Sequence, residues 1–243
     1  MAFRRFLSAL GVNAPEVETV LDHDQVRPGE RVSATVTVRG GAVDVEVERL
    51  TVHLVVRFET QGEHEVRYDH GMARHDLAQS FTLRAGEVRT EQATFDIPLG
   101  MPLTHFAGQA LKGAYSAVVT ELAIDNAVDR GDEDLLEVHA LPSQAAVLGA
   151  FEDLGFRLRG AEVKAGRASA RQEVDWWQEI EMSAPAGYGL GSVELMIVNL
   201  ESELDVCPGS QVRPLALKHE ETEDRTALTA RLDAYLRESF PRT

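Results

Sequence analysis

Hydrophobic and polar residues alternate with a period of two along much of this chain, which is typical of half-buried β-strands. Residues 31–39, RVSATVTVR, follow a Pro-Gly turn and alternate between aliphatic and hydroxylated side chains. Comparable patterns predict strands at 17–21, 45–58, 91–97, 115–125, 155–163, 175–183 and 192–200, and a weaker pattern predicts one at 211–219. Residues 63–84 are predicted to form polar strands around a turn at His70-Gly71. Many short strands separated by turns favour a sandwich or barrel over a Rossmann or TIM architecture.

The alternation changes phase within residues 45–58. Val45 and Val47 occupy odd positions, whereas the later apolar residues occupy even ones: Leu50, Val52, Leu54, Val56 and Phe58. A shift of one residue moves every side chain to the other face of a sheet, so the sequence predicts a bulge or break near Glu48 and Arg49.

Helical spacing occurs in three places. Phe3, Phe6, Leu7 and Leu10 would share one face of a short N-terminal helix. This apolar run of about seven residues is short for a signal peptide. A second helix is predicted at 143–154 with Ser143 as its N-cap. A third, at the C-terminus, carries Leu228, Leu232, Tyr235 and Leu236 on one stripe.

The acidic segment NAVDRGDEDLLEV, residues 126–138, has no clear periodicity before Leu135 and is a candidate linker. It divides the chain into a predicted domain at 1–130 and a second one at 131–243. We expect exposed residues there to be cut first by a protease.

The net charge of −16, from 40 acidic and 24 basic residues, argues against binding to nucleic acid or to an anionic membrane. It serves solubility or, alternatively, attraction to a basic partner. No apolar run approaches the ~20 residues that a membrane-spanning helix needs. We therefore expect a cytoplasmic protein.

Motifs that would indicate catalysis are weak. The single cysteine, Cys207, lies in a predicted turn. Gly187, Gly189 and Gly191 precede a strand pattern instead of a helix, which favours a hairpin loop over a phosphate loop. His64, His70 and His75, with Asp69 and Asp76, form a charged hairpin. Their spacing fits no compact metal motif, because ligands on one strand face would lie two residues apart.

Trp176 and Trp177 are adjacent, so a strand would direct their indoles to opposite faces. The outward indole needs a cover, which could be a helix of the same chain, the other domain or a second protomer. We expect the C-terminal helix to cap the second domain against these indoles. The candidate interface is therefore Trp176, Trp177, Leu228, Leu232, Tyr235 and Leu236, with self-association over the surface around it.

Several segments in order resemble a known family. VETVLDHDQVRPGERVSATVTVRGG, LTVHLVVRFET, ATFDIPLGMPLTHF and LKGAYSAVVTELAIDNAVD resemble the N-terminal domain of arrestin-like proteins. FRRFLSALGVNAPEVETVLD, AVLGAFEDLGFRLRGAEV and WWQEIEM resemble, more narrowly, the SpoOM family of bacterial sporulation-control proteins. The likeness extends from the N-terminus to about Leu200.

The resemblance implies a mainly β chain of two tandem arrestin-like β-sandwich domains, with a few short helices. It also implies a cytoplasmic regulatory or scaffold protein that binds unidentified protein partners, self-associates, and needs no catalytic residue, metal or cofactor. The alternative hypothesis is a metal-binding protein or enzyme that uses the His64–His75 hairpin.

Overall fold

The computed structural model describes residues 14–58, 67–68, 72–125, 129–167 and 169–241. The predicted N-terminal helix, with Phe3, Phe6, Leu7 and Leu10, lies outside the described residues, as do His64, Asp69 and His70. The strands of the first half are β1 (Glu16–Leu21), β2 (Gln25–Val26), β3 (Arg31–Arg39), β4 (Val45–Phe58), β5 (Arg67–Tyr68), β6 (Ala73–Leu83), β7 (Val88–Asp96), β8 (His105–Phe106), β9 (Gln109–Ala110), β10 (Ser116–Ile124), β11 (Arg130–Leu135) and β12 (Glu137–Val138).

The second half contains α1 (Pro142–Asp153), β13 (Arg157–Ala165), β14 (Trp176–Ser183), β15 (Ser192–Asn199), β16 (Glu203–Cys207), β17 (Leu215–Lys218) and α2 (Arg225–Ser239). The chain is thus mainly β, as predicted. No helix in the described ranges is long and apolar enough to cross a membrane.

Two antiparallel sheets face each other in the first half. One has the order β1-β3-β7, and the other places β10 beside β4, with β11 and β6 on its outer sides. The aliphatic face of β3 is fully buried between them, through Val32, Ala34, Val36 and Val38. This half is therefore a β-sandwich.

The phase change in β4 is a β-bulge. Ala123 pairs with Arg49 and the next residue, Ile124, pairs with Val47, so Glu48 is the extra residue. Val47 lies in the core before the bulge, and the even-numbered residues lie there after it: Leu50, Val52, Leu54, Val56 and Phe58. The register prediction is confirmed.

The acidic segment is not a linker over the part that is described. Residues Arg130–Leu135 form β11, which pairs with β10 along its whole length. Glu137 and Val138 then pair in parallel with Gln25 and Val26. Main-chain hydrogen bonds along a sheet edge need no apolar pattern, which is why the composition of this segment was misleading. The division into two domains itself remains a prediction.

The second half is built on one antiparallel sheet of order β13-β14-β15-β16-β17. Helices α1 and α2 pack on its inner face and supply the second layer of the core. Two local predictions need correction. Leu141, not Ser143, is the N-cap of α1, and Cys207 ends strand β16 and is buried. The glycines near 189 lie in the loop between β14 and β15, as predicted.

Candidate functional site

The predicted stripe of the C-terminal helix is used within the chain. Leu228, Leu232 and Leu236 are at most 1% exposed and belong to the core that α2 shares with α1 and the sheet. Tyr235 lies at the margin, where its hydroxyl donates to the carbonyl of Arg213 at 2.7 Å. The helix therefore caps the second half through this stripe. Its docking against the two indoles stays a prediction.

Neither indole N–H donates its hydrogen bond to this helix. Trp176 points to the inner face, and its Nε1 donates to the carbonyl oxygen of Gly100 at 3.0 Å. Trp177 points to the outer face, and its Nε1 donates to Glu179 at 3.0 Å. A loop of the first half therefore contacts the inward indole, Trp176. The cover predicted for the outward indole, Trp177, stays a prediction.

Trp176 belongs to a seam between the two halves, which we define by the loop 98–113 and the strands β13, β14 and β15. The side-chain amide of Gln178 accepts from the amide of Leu103 at 2.9 Å and donates to its carbonyl at 2.7 Å. Asn199 donates to the carbonyl of Leu99 at 3.0 Å. At Gly100 a Cβ atom would stand 2.6 Å from Val174, so glycine permits this close approach. Gln178 thus satisfies both the amide and the carbonyl of Leu103, a loop residue that is fully buried.

The outer face of the second sheet is acidic. Glu162 lies opposite Glu179 across β13 and β14, and Glu181 lies opposite Glu194 across β14 and β15. Glu179 is buried and pairs with Lys164 at 2.6 Å. Glu181 and Glu194 are exposed, and neither has an ion-pair partner in the described ranges. Like charges directly opposite each other are unfavourable in a sheet, so this face would be stabilised by a basic ligand.

A groove of about 310 Å³ borders this acidic face and is lined by residues of both halves. Lys112 and Gly113 form its wall on the first half. A main-chain hydrogen bond joins the two halves at this groove: the amide of Ala161 donates to the carbonyl of Lys112 at 2.8 Å. The acidic face and the seam are therefore continuous, and together they are the candidate functional site.

Of the predicted histidine hairpin, only His75 and Asp76 lie within the described residues. The His75 ring packs edge-on against Phe95, with ring centroids 4.8 Å apart. Asp76 pairs with Arg74 at 2.7 Å. Neither contact resembles metal coordination.

The structure instead brings His105 and His139 together beside Glu137. Sequence reasoning missed this cluster, although the spacing Glu137-x-His139 places both side chains on one face of a strand. Their third member, His105, is 32 residues earlier in a loop-borne strand, and only the fold reveals its proximity.

Comparisons with known proteins agree with one another. The family model described as SpoOM protein matches residues 3–208. Sporulation-control protein spo0M of Bacillus subtilis (strain 168) is 31% identical over 208 residues, which is 84% of this chain and 78% of that relative. The crystal structure of Spo0M from Bacillus subtilis matches with a TM-score of 0.76 and 27% identity, covering 94% of this chain and 100% of that one. The family resemblance found in the sequence motifs is confirmed.

Proposed function

The chain belongs to the SpoOM protein family, and on that basis we propose that it is a cytoplasmic regulatory protein that acts by binding other proteins and not by catalysis. The observation that carries the proposal is the family match over residues 3–208, with a relative that is named as a sporulation-control protein. A controlling role of this kind needs a surface that partners recognise.

The acidic outer face of the second sheet is the surface we assign to that role. Glu181 and Glu194 lie side by side on adjacent strands, and both are exposed. The chain carries a net charge of −16, so a basic partner would be attracted from a distance and then positioned by this face. A basic protein segment is the ligand class that fits.

The test is cross-linking and affinity capture from the native cells, with the wild-type chain compared with the double variant Glu181→Lys/Glu194→Lys. A matched control, Glu152→Lys/Glu238→Lys, makes the same change in net charge on exposed positions of α1 and α2, on the other side of the sheet. We expect a specific partner that the wild type and the control retain and the Glu181/Glu194 variant loses.

Two results would contradict parts of this proposal separately. Capture of the same partner by all three proteins would remove the acidic face as its binding surface. Absence of any specific partner in cells that express the wild-type chain would remove protein binding as the mode of action. Far-UV circular dichroism of each variant establishes that the fold is retained.

A further inference from the structure

Three potential metal ligands converge where the loop 98–113 meets strand β12. Glu137 and His139 are two residues apart on one strand face, and Val138 between them is fully buried on the opposite face. His105 joins them through a parallel bridge with His139. A hydrogen bond from the amide of Thr104 to the carbonyl of Val138, at 2.9 Å, fixes this arrangement. Main-chain contacts therefore set the positions of all three side chains.

The ligand atoms have the separations of a nearly formed coordination sphere. Nε2 of His139 is 3.2 Å from one oxygen of Glu137, and Nε2 of His105 is 3.8 Å from the other. All the ligand atoms lie within 4.8 Å of one another. Neighbouring ligands of a tetrahedral zinc ion are about 3.4 Å apart, given metal–ligand bonds of roughly 2.0–2.2 Å. Small side-chain movements would close the sphere.

A hydrogen-bond network orients His105. The hydroxyl of Thr104 accepts from the amide of Val138 at 2.7 Å and donates its single hydrogen to the carbonyl of Leu136 at 3.4 Å. Nδ1 of His105 lies 3.0 Å from the same hydroxyl, so it is placed to donate its hydrogen there. In that tautomer Nε2, 3.8 Å from Glu137, carries the lone pair that a metal ion needs. Metal-binding histidines commonly donate their second nitrogen in this way.

The cluster is also accessible. The side chains of His105, His139 and Glu137 are 21%, 28% and 36% exposed, so an ion can enter and water can complete its coordination. Two imidazole nitrogens and one carboxylate oxygen suit zinc and related transition metals, whereas calcium and magnesium prefer oxygen ligands alone. We propose that His105, Glu137 and His139 form a binding site for one divalent transition-metal ion of the zinc class.

The site is tested by titrating the metal-free, full-length chain with Zn²⁺ alone and measuring stoichiometry and affinity by calorimetry. Co²⁺ serves as a spectroscopic probe, because its visible absorption changes with its coordination geometry. The variants are His105→Ala, His139→Ala and Glu137→Gln, of which the last keeps the side-chain shape. His23→Ala removes an exposed histidine elsewhere and is the matched control.

We expect one Zn²⁺ per chain in the wild type and the His23→Ala control. Loss of a direct ligand should weaken binding more than about 100-fold, beyond the 10–100-fold typical of outer-shell changes. Wild-type protein without stoichiometric binding would overturn the proposal and leave Glu137 as a hydrogen-bond acceptor only. Undiminished binding by a His105→Ala/His139→Ala double variant would overturn it as well. Unfolding midpoints measured in chelator show whether each variant is folded.

Discussion

Asp134, on the edge strand β11, is a carboxyl group whose surroundings disfavour its charge. Burial raises its pKa to about 6, and the negative charges of Asp132 and Glu18 contribute in the same direction. One of its oxygens is shielded from solvent without a hydrogen-bond partner in the described ranges. Because the folded pKa is raised, the stability that Asp134 contributes is fully present below about pH 4 and is lost as the pH rises through about 6.

Replacement of Asp134 by Asn should therefore stabilise the protein at pH 7.5. After allowance for the half-exposed position of the group, we expect a gain of about 1 kcal/mol, measured by urea unfolding. The gain should shrink as the pH falls to 4, because the folded wild-type carboxyl is then protonated and the unfolded one, with an ordinary pKa of 3.8, is about half protonated. Asp24→Asn, at an exposed position, is the control and should change little at either pH. A gain that is as large at pH 4 as at pH 7.5 would refute the electrostatic explanation.

At the scale of secondary-structure elements, β4 shows how directly a pattern can specify register. The bulge at Glu48 lets Val47 and Leu50 face the same core, although they are three residues apart. The odd positions after the bulge are also buried, at Thr51, His53 and Val55. Alternation alone predicts one buried face, and burial of both faces depends on other parts of the fold.

Truncation of Leu54 to Ala should cost about 2–5 kcal/mol, because this side chain is fully buried and its loss leaves a cavity. Equilibrium unfolding in urea measures the difference. The control is Arg49→Ala, since Arg49 is exposed beside the bulge and should contribute little. Equal stability of Leu54→Ala and the wild type would mean that the even-numbered face of β4 is not part of a packed core.

The sequence predicts the strands whose burial imposes a hydrophobic period. It does not predict the strands that are held only by main-chain pairing. Long strands such as β3 and β10 were predicted within one residue at each end. The two-residue strands β8 and β12 are too short to show a period. Because His105 and Glu137 lie on those strands, the histidine cluster could not be assembled from the pattern. The seam was not predicted, because the side chain of Gln178, and not a paired strand, makes the hydrogen bonds to the main chain of Leu103. Such side-chain bonds leave no period in the sequence.

Self-association, if it involves α2, must use the side of the helix that faces away from the core. The apolar stripe is buried, so Leu232→Asp would disrupt the fold instead of testing the interface. Ala230 and Ala234 are exposed on the other side of the helix. We expect light scattering to show a dimer, and expect Ala230→Glu/Ala234→Glu to convert it to a folded monomer. A monomeric wild-type mass at high concentration would refute this prediction.

At the scale of the whole molecule, the pairing of β11 and β12 with the first half bears on the domain boundary. Both strands precede α1 and make their main-chain hydrogen bonds to β10 and β2. We therefore propose that the division between two domains falls after Val138, later than the boundary at residue 130 that composition suggested. The buried core nevertheless runs through both halves, from Val26 to Leu236. Two domains joined in this way should unfold together as long as their seam is intact.

Gln178 offers a way to test that coupling. Its replacement by Ala would leave the buried amide and carbonyl of Leu103 without their partner, at a cost of about 1–3 kcal/mol. Because this cost falls on the hydrogen bonds of the seam, scanning calorimetry should resolve two transitions in place of one. The Leu103 amide should also exchange its hydrogen faster. Gln92→Ala, on the exposed face of β7, should retain the wild-type profile. A single transition of unchanged midpoint in Gln178→Ala would show that the common core, and not the seam, makes the two halves one cooperative unit.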